Sequence, residues 1–175
     1  VSLSTCSYAG QRRMLQHIMD AIAPLPVEAT VTIGPAIDAD GLRVPPNATT
    51  HAWLDHDTVL PHTSLVIGHG GHSTAMRALS FGIPVLVLPA NPMIDQRGVG
   101  AALQRAGAGR LLPKSAGPKR IRAAVQEILG DPGYRRAANQ LGEDIRAHDG
   151  AEIAADAILT YVQDRGPSSS SGAGG

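Results

Sequence analysis

The sequence has little of what several classes of protein require. Cys6 is the single cysteine among 175 residues, which excludes an internal disulfide and a thiolate metal site. The 15 basic and 15 acidic residues cancel, so no basic surface favours nucleic acid as a partner. The longest apolar stretch, 83–88, is too short to cross a bilayer. We therefore expect a domain of the reducing cytoplasm with no transmembrane segment.

The composition otherwise predicts a packed core, because 43% of the residues are hydrophobic and 17% are charged. The chain starts in a strand-like run without a methionine, which indicates a domain of a longer protein. Residues 164–175 are rich in serine and glycine, which is typical of a disordered tail or linker. We expect the folded domain to cover residues 1–163.

Short β-branched or apolar runs alternate with longer segments of helical period, which favours βαβ units. We expect an α/β fold of the Rossmann-like kind, with three α/β/α layers around a parallel sheet. The predicted strands cover 1–5, 29–33, 50–54, 64–67, 84–88 and 110–112. The predicted helices cover 10–23, 73–81 and 95–106, followed by three more that begin near 115–118, Asp131 and Asp149.

The stretch GHGGHSTAMRAL, residues 68–79, combines a glycine turn with the start of a helix. Gly70 and Gly71 leave backbone N–H groups unobstructed, and Ser73 and Thr74 add hydroxyls at the positive end of the helix dipole. These features predict a phosphate or diphosphate site that His69 can reach. The Walker A, GxGxxG and GxSxG patterns are all absent.

A zinc site is a second interpretation of the same region, because His56 and His62 lie upstream of His69 and His72. No thiolate or carboxylate completes an obvious ligand set, and the HExxH pattern is missing. We therefore expect no metal.

Residues 53–96, WLDHDTVLPHTSLVIGHGGHSTAMRALSFGIPVLVLPANPMIDQ, resemble the nucleotide-sugar motif of the UDP-glycosyltransferase-like family of GT-B glycosyltransferases. The resemblance implies that this chain is the C-terminal half of a GT-B fold, which binds the donor. It also implies that the acceptor site and the catalytic base lie in an N-terminal domain, so that no catalytic residue is expected in this chain.

The resemblance assigns a role to each matching position. It implies nucleobase contacts by Trp53 and His56, diphosphate contacts by His69, Gly70, Gly71, Ser73, Thr74 and Ser4, and sugar contacts by Asp95 and Gln96. Structural explanations remain for three of these: Trp53 as a core or surface aromatic residue, Asp95 as a helix N-cap, and Gln96 as a first-turn residue.

Two departures from the family pattern put the donor in question. Arg77 stands in the nucleobase and ribose region where much of the family has a glutamate, and arginine can only donate hydrogen bonds. A dTDP-sugar, whose deoxyribose lacks one hydroxyl, would need that glutamate less. The segment ANPMID before Gln96 is also longer than usual, which bears on where Asp95 lies.

We therefore expect a metal-independent, inverting glycosyltransferase whose donor is a UDP- or dTDP-sugar and whose acceptor is a small hydroxylated molecule. The nucleotide sugar is a co-substrate, and no cofactor is expected. Two alternatives remain. One is a non-catalytic module that uses this fold to bind proteins, and the other is half of a sugar-nucleotide epimerase or of a lipid-linked N-acetylglucosaminyltransferase.

Overall fold

Strands and helices alternate along the chain, as the sequence predicts. The computed structural model describes residues 1–91, 93–148 and 150–164. The predicted tail lies outside these residues except for its first position. The strands are β1 Ala29–Thr32, β2 Ala48–His51, β3 Val66–Gly68, β4 Val85–Val87 and β5 Gly109–Leu111. The helices are α1 Gln11–Ile22, α2 His56–Val59, α3 His72–Ser80, α4 Gln96–Arg105, α5 Pro118–Gly130, α6 Pro132–Ala147 and α7 Gly150–Asp164, with a 3-10 helix at Leu60–His62.

All strand pairs are parallel, and the first residues of the chain join them into one sheet. β1 pairs with β2, and β4 lies between β3 and β5. Between these groups Ser2 forms bridges to Thr32 and to Gly68. The prediction of a strand over residues 1–5 is therefore wrong in its length, because the pairing in this segment is formed by isolated bridges at Ser2. The chain leaves the sheet soon after Ser2, because the Ser4 hydroxyl accepts from the Cys6 N–H at 3.1 Å in a turn toward α1.

Helices cover both faces of the sheet, which confirms the three-layer α/β/α prediction. The strand β4 shows why, since Leu86 packs in one hydrophobic cluster while Val85 and Val87 pack in the other. Alternate side chains of a strand point to opposite faces, so this strand is buried on both sides. The helices α1 and α5 pack together on one face, and α3 and α6 pack together on the other.

The sequence analysis missed the short helix α2 and the 3-10 helix that follows it. α2 has no buried residue, so it carries no apolar period, and the polar Asp55 starts it by accepting a hydrogen bond from the Asp57 N–H. β2 also begins two residues earlier than predicted. The three final helices are confirmed, with Asp131 capping α6 through the Gly133 N–H; Asp149, the predicted cap of α7, lies outside the described residues.

The last helix differs from the others in its packing. Residues 150–163 of α7 are exposed, including large apolar side chains such as Ile158 and Leu159. Within the described residues, no helix is both long and apolar enough to cross a membrane.

β5 approaches β4 so closely that a side chain at one position would not fit. A Cβ atom at Gly109 would overlap the backbone carbonyl of Val85, and a backbone atom cannot move aside as a flexible side chain can. At Gly98 in α4, by contrast, no atom lies within 4 Å of a built Cβ.

We expect Gly109→Ala to lower the free energy of unfolding by about 2 kcal/mol or more, because the added methyl group forces two strands apart. The matched variant Gly98→Ala should raise it by up to about 1 kcal/mol, because alanine favours the helix. Urea unfolding followed by circular dichroism measures both changes. Equal stability of the two variants would contradict the packing described for β5.

Candidate functional site

The carboxyl ends of β3 and β4 meet at a glycine turn. Gly70 has a φ of +87°, which lies in the left-handed region that glycine adopts without strain. A Cβ at this position would lie 2.6 Å from the Gln96 carbonyl oxygen and 2.8 Å from a Val87 methyl group. Gly70 therefore lets the turn before α3 lie directly against the start of α4. This edge of a parallel sheet is where α/β proteins bind ligands.

His69 folds back over the same turn. A Cβ at Gly71 would lie 2.6 Å from the imidazole Nε2, so the missing side chain of Gly71 makes room for the ring. Burial lowers the pKa of His69, and the Ser2 backbone carbonyl partly opposes this shift. The buried Nδ1 has no hydrogen-bond partner among the described residues. Burial of the ring thus favours the neutral form of the imidazole, which lies beside the start of α3.

The N terminus of α3 offers hydrogen-bond donors to a ligand. Gly71 is the N-cap, and no side-chain hydrogen bond caps the helix. Ser73 and Thr74 lie in the first turn, where backbone N–H groups have no partner within the helix. The positive end of the helix dipole lies at the same place. The predicted diphosphate residues His69, Gly70, Gly71, Ser73 and Thr74 are therefore brought together.

Ser4, the remaining predicted diphosphate residue, has structural partners. Ser2 pairs with Gly68 in parallel. Ser4 therefore follows Ser2 on the same side of the sheet as the glycine turn that follows Gly68. Its carbonyl accepts from Gln11 Nε2 at 2.8 Å, and its hydroxyl oxygen accepts from Cys6 as described above. Ser4 is also 8% exposed, so little of it faces the solvent.

Gln96 supports the loop between β4 and α4. Its side chain is 2% exposed, and its Oε1 accepts hydrogen bonds from the N–H groups of Ala90 and Asn91 at 2.8 and 2.9 Å. Gln96 therefore does more than occupy the first turn of α4. Among the described residues, no hydrogen bond of its amide nitrogen is seen.

Asp95 precedes α4 but its side chain does not cap the helix. Its carboxylate instead lies 2.7 Å from His72 Nδ1, with both side chains exposed. Sequence reasoning considered His72 only as a zinc ligand and missed this partnership, because the two residues belong to different βα units. The pair joins the glycine turn to the predicted sugar-binding loop.

The predicted nucleobase residues lie on the segment after β2. Trp53 is 75% exposed, so it is a surface aromatic residue and not part of the core. His56 lines a cleft of about 630 Å³ together with Leu54 and Thr74. Many of the residues that line it lie near the amino ends of β1 and β3 and on α5, such as Ala29, Ser64 and Val125. Trp53, His69 and Gln96 do not line it. No described contact joins Trp53 to the other predicted residues.

Arg77 has a protein partner that sequence reasoning missed. Its Nε donates to Asp57 Oδ1 at 2.7 Å, and its Nη2 contacts Asp57 Oδ2. A guanidinium group with two parallel bonds to one carboxylate is held in a fixed plane. The side chain is thereby tied to α2, on the predicted nucleobase segment.

Two Asp-x-Asp pairs, which the sequence-based expectation of a metal-free site overlooked, occur at 38–40 and 55–57. Asp38 accepts a hydrogen bond from the Asp40 N–H at 3.0 Å, Asp55 caps α2, and Asp57 binds Arg77. Among the described residues, no group of three or more histidine, cysteine or acidic side chains is placed to hold a metal ion.

Comparisons with known proteins agree with this architecture. A family model described as "Erythromycin biosynthesis protein CIII-like, C-terminal domain" matches residues 16–159. A PGL/p-HBAD biosynthesis glycosyltransferase of Mycobacterium tuberculosis is 35% identical over 141 residues, which cover 80% of this chain and 32% of that protein. The chain thus spans about a third of the length of the curated relatives it matches.

Solved structures show the same fold. The calicheamicin glycosyltransferase has a TM-score of 0.80 at 23% identity, over 94% of this chain and 42% of its own. A spinosyn rhamnosyltransferase complexed with thymidine diphosphate has a TM-score of 0.69 at 32% identity, over 79% of this chain and 38% of its own. These findings confirm the resemblance: the chain belongs to the erythromycin biosynthesis protein CIII-like C-terminal domain family, and its fold is one half of a GT-B glycosyltransferase.

Proposed function

We propose that this chain is the donor-binding domain of an inverting, metal-independent glycosyltransferase that uses a dTDP- or UDP-sugar. The observation that carries the proposal is the position of His69, whose Nε2 lies over Gly71 at the uncapped N terminus of α3. The relatives are glycosyltransferases, which supports the same class of reaction.

The diphosphate would bind at the glycine turn. Backbone N–H groups of the first turn of α3 and the hydroxyls of Ser73 and Thr74 donate hydrogen bonds to phosphate oxygens. In the tautomer that carries its proton on Nε2, His69 donates one more from that atom. Because these donors are held in place before the reaction, they stabilise the negative charge that builds up on the leaving diphosphate.

The nucleobase would stack on Trp53, whose exposed indole offers a flat face. His56 lies three residues further along, in the wall of the cleft that also contains Thr74.

The sugar would lie at the start of α4. Asp95 presents a carboxylate, which only accepts hydrogen bonds when ionised, and Gln96 presents an amide nitrogen, which only donates. Neighbouring sugar hydroxyls can donate to the first and accept from the second. The His72 imidazole holds the Asp95 carboxylate in place, and the Ala90 and Asn91 N–H groups orient the Gln96 amide.

Arg77 favours a deoxyribose nucleotide. Its guanidinium has no acceptor atom and is bound to Asp57, so it does not replace the glutamate that accepts from ribose hydroxyls in much of the family. A dTDP-sugar has one hydroxyl fewer to satisfy. A related spinosyn rhamnosyltransferase was solved with thymidine diphosphate, which supports this choice of donor.

Transfer would need a base that removes the acceptor proton as the acceptor oxygen attacks the anomeric carbon opposite the diphosphate. We propose that an N-terminal domain supplies this base and the acceptor site, as the family resemblance implies, and that the complete enzyme works in the reducing cytoplasm. This chain alone would then bind the donor without transferring the sugar. A protein-interaction module with the same fold would bind no nucleotide.

Calorimetric titration of the chain tests the nucleotide site. We expect dTDP and UDP to bind with dissociation constants below about 1 mM, GDP to bind more weakly, and His69→Ala to weaken dTDP binding about tenfold, as expected for loss of a hydrogen bond to a charged group. His148→Ala, at the end of α6, is the control. Absence of nucleotide binding at millimolar concentration would refute the proposed function, and unchanged binding by His69→Ala would exclude His69 from the site.

The sugar contacts are tested by comparing dTDP-glucose with dTDP. Asp95→Ala should weaken binding of dTDP-glucose about tenfold or more, because a hydrogen bond to a charged group is lost, and should leave dTDP binding nearly unchanged. Asp144→Ala on α6 is the matched control. An equal loss for both ligands would show that Asp95 acts on the nucleotide site and not on the sugar.

The lowered pKa of His69 in the folded protein makes the free energy of unfolding depend on pH. Because burial lowers its pKa in the folded protein, the unfolded chain binds the proton more readily, and the free energy of unfolding falls as pH drops below about 6.5. His69→Gln should lose part of this fall. The buried Val1 amine, whose pKa is lowered to about 6, contributes equally to both proteins and cancels in the comparison. Identical pH profiles would mean that His69 titrates alike in the folded and unfolded chains.

A further inference from the structure

We infer that Arg77 is a positioning residue that fixes the nucleobase segment, residues 53–59, against α3. The sequence analysis placed Arg77 in the nucleobase and ribose region and did not find its protein partner. This positioning role deepens the proposed function and rests on it, because the segment matters only if Trp53 receives a nucleobase.

The geometry of the pair supports this role. Arg77 lies in α3 and Asp57 lies in α2, and the guanidinium binds both carboxylate oxygens. Both side chains are about half exposed. Exposed ion pairs contribute little to global stability, but a bidentate arginine pair fixes orientation as well as distance. The pair is therefore suited to orienting a local segment.

The nucleobase segment has few other anchors. α2 buries no residue, so the hydrophobic core does not hold it. Asp55 accepts hydrogen bonds from the Asp57 N–H at 3.1 Å and, through its carbonyl, from the Thr58 hydroxyl at 2.8 Å, which makes a compact turn within the segment. Other hydrogen bonds of residues 53–59 are to Leu60 and Thr63, which follow directly in the chain. Among the described residues, the pair with Arg77 is the one that reaches α3.

The two ends of this segment are held by other means. Before it, Ala52 accepts a hydrogen bond from the Gly34 N–H at 3.2 Å. After it, Leu60 is buried in the core cluster that contains α3. Between these points Leu54 and Val59 are half-buried, and we expect the compact turn, and with it Trp53, to take its orientation from Asp57.

One helix therefore connects both halves of the nucleotide site. The first turn of α3 carries the diphosphate donors, and Arg77, five residues after His72, holds the segment that carries Trp53. Stacking depends on the plane and distance of the aromatic ring. Arg77 would set the distance between the diphosphate and the base, and so the size of nucleotide that fits.

The test combines a measurement on the free protein with one on the complex. Variants Arg77→Gln and Asp57→Asn break the pair, and the double variant Asp57→Arg with Arg77→Asp reverses it. Arg43→Gln, which removes an exposed pair with Asp20, is the matched control. Trp53 is the single tryptophan, so its fluorescence anisotropy reports on the segment directly, and hydrogen exchange of residues 53–59 provides a second measurement.

We expect both pair-breaking variants to lower Trp53 anisotropy and to speed hydrogen exchange in residues 53–59 about two- to fivefold, in line with the strength of an exposed pair. The same variants should weaken dTDP binding by a similar factor and leave inorganic pyrophosphate binding unchanged. The reversed pair should recover at least half of each loss, and Arg43→Gln should change none of them.

Three results would overturn the inference: unchanged anisotropy and exchange in the pair-breaking variants, equal weakening of dTDP and pyrophosphate, or no recovery in the reversed pair. If the unmodified chain binds no nucleotide, the proposed function fails separately. In that case the anisotropy and hydrogen-exchange measurements on the free protein test the positioning role of Arg77. Faster exchange in the pair-breaking variants supports this role, and unchanged exchange refutes it.

Discussion

The contact between Gly70 and the backbone of Gln96 is the constraint on which the rest of the site depends. Because Gly70 has no Cβ and adopts a positive φ, the turn after β3 can lie against the start of α4. This contact brings two separate βα units to one place at the edge of the sheet. The candidate diphosphate donors come from the first unit, and the candidate sugar contacts come from the second.

α3 lies at the centre of this arrangement, and two side-chain contacts at different positions along the helix connect it to its neighbours. His72, in its first turn, binds Asp95 before α4. Arg77, further along the helix, binds Asp57 in α2. The candidate diphosphate, sugar and nucleobase regions thus share one helix, whose inner face is packed in the core through Ala75, Ala78 and Leu79. A displacement of α3 would change all three regions together.

Most of the fold could be predicted from the sequence because its signals are local. The apolar face of α1, the continuous apolar run of β4 and the Asp131 cap of α6 each depend on residues close together in the chain. The failures have physical causes as well. The segment 1–5 has strand-like composition, but the turn at Ser4 ends its pairing after Ser2. α2 buries no residue, so its sequence shows no apolar periodicity from which a helix could be predicted.

By itself the sequence determined the order of strands and helices, the family and the glycine turn, since glycine, serine and threonine in that order at a strand-to-helix junction are a local chemical pattern. Tertiary structure decided what the charged side chains do. His72 meets Asp95, and Arg77 meets Asp57, because parallel strands place the loops of different βα units at one edge. An ion pair between distant residues leaves no periodic signal in a single sequence, so the partners of these side chains emerge when the sheet is assembled.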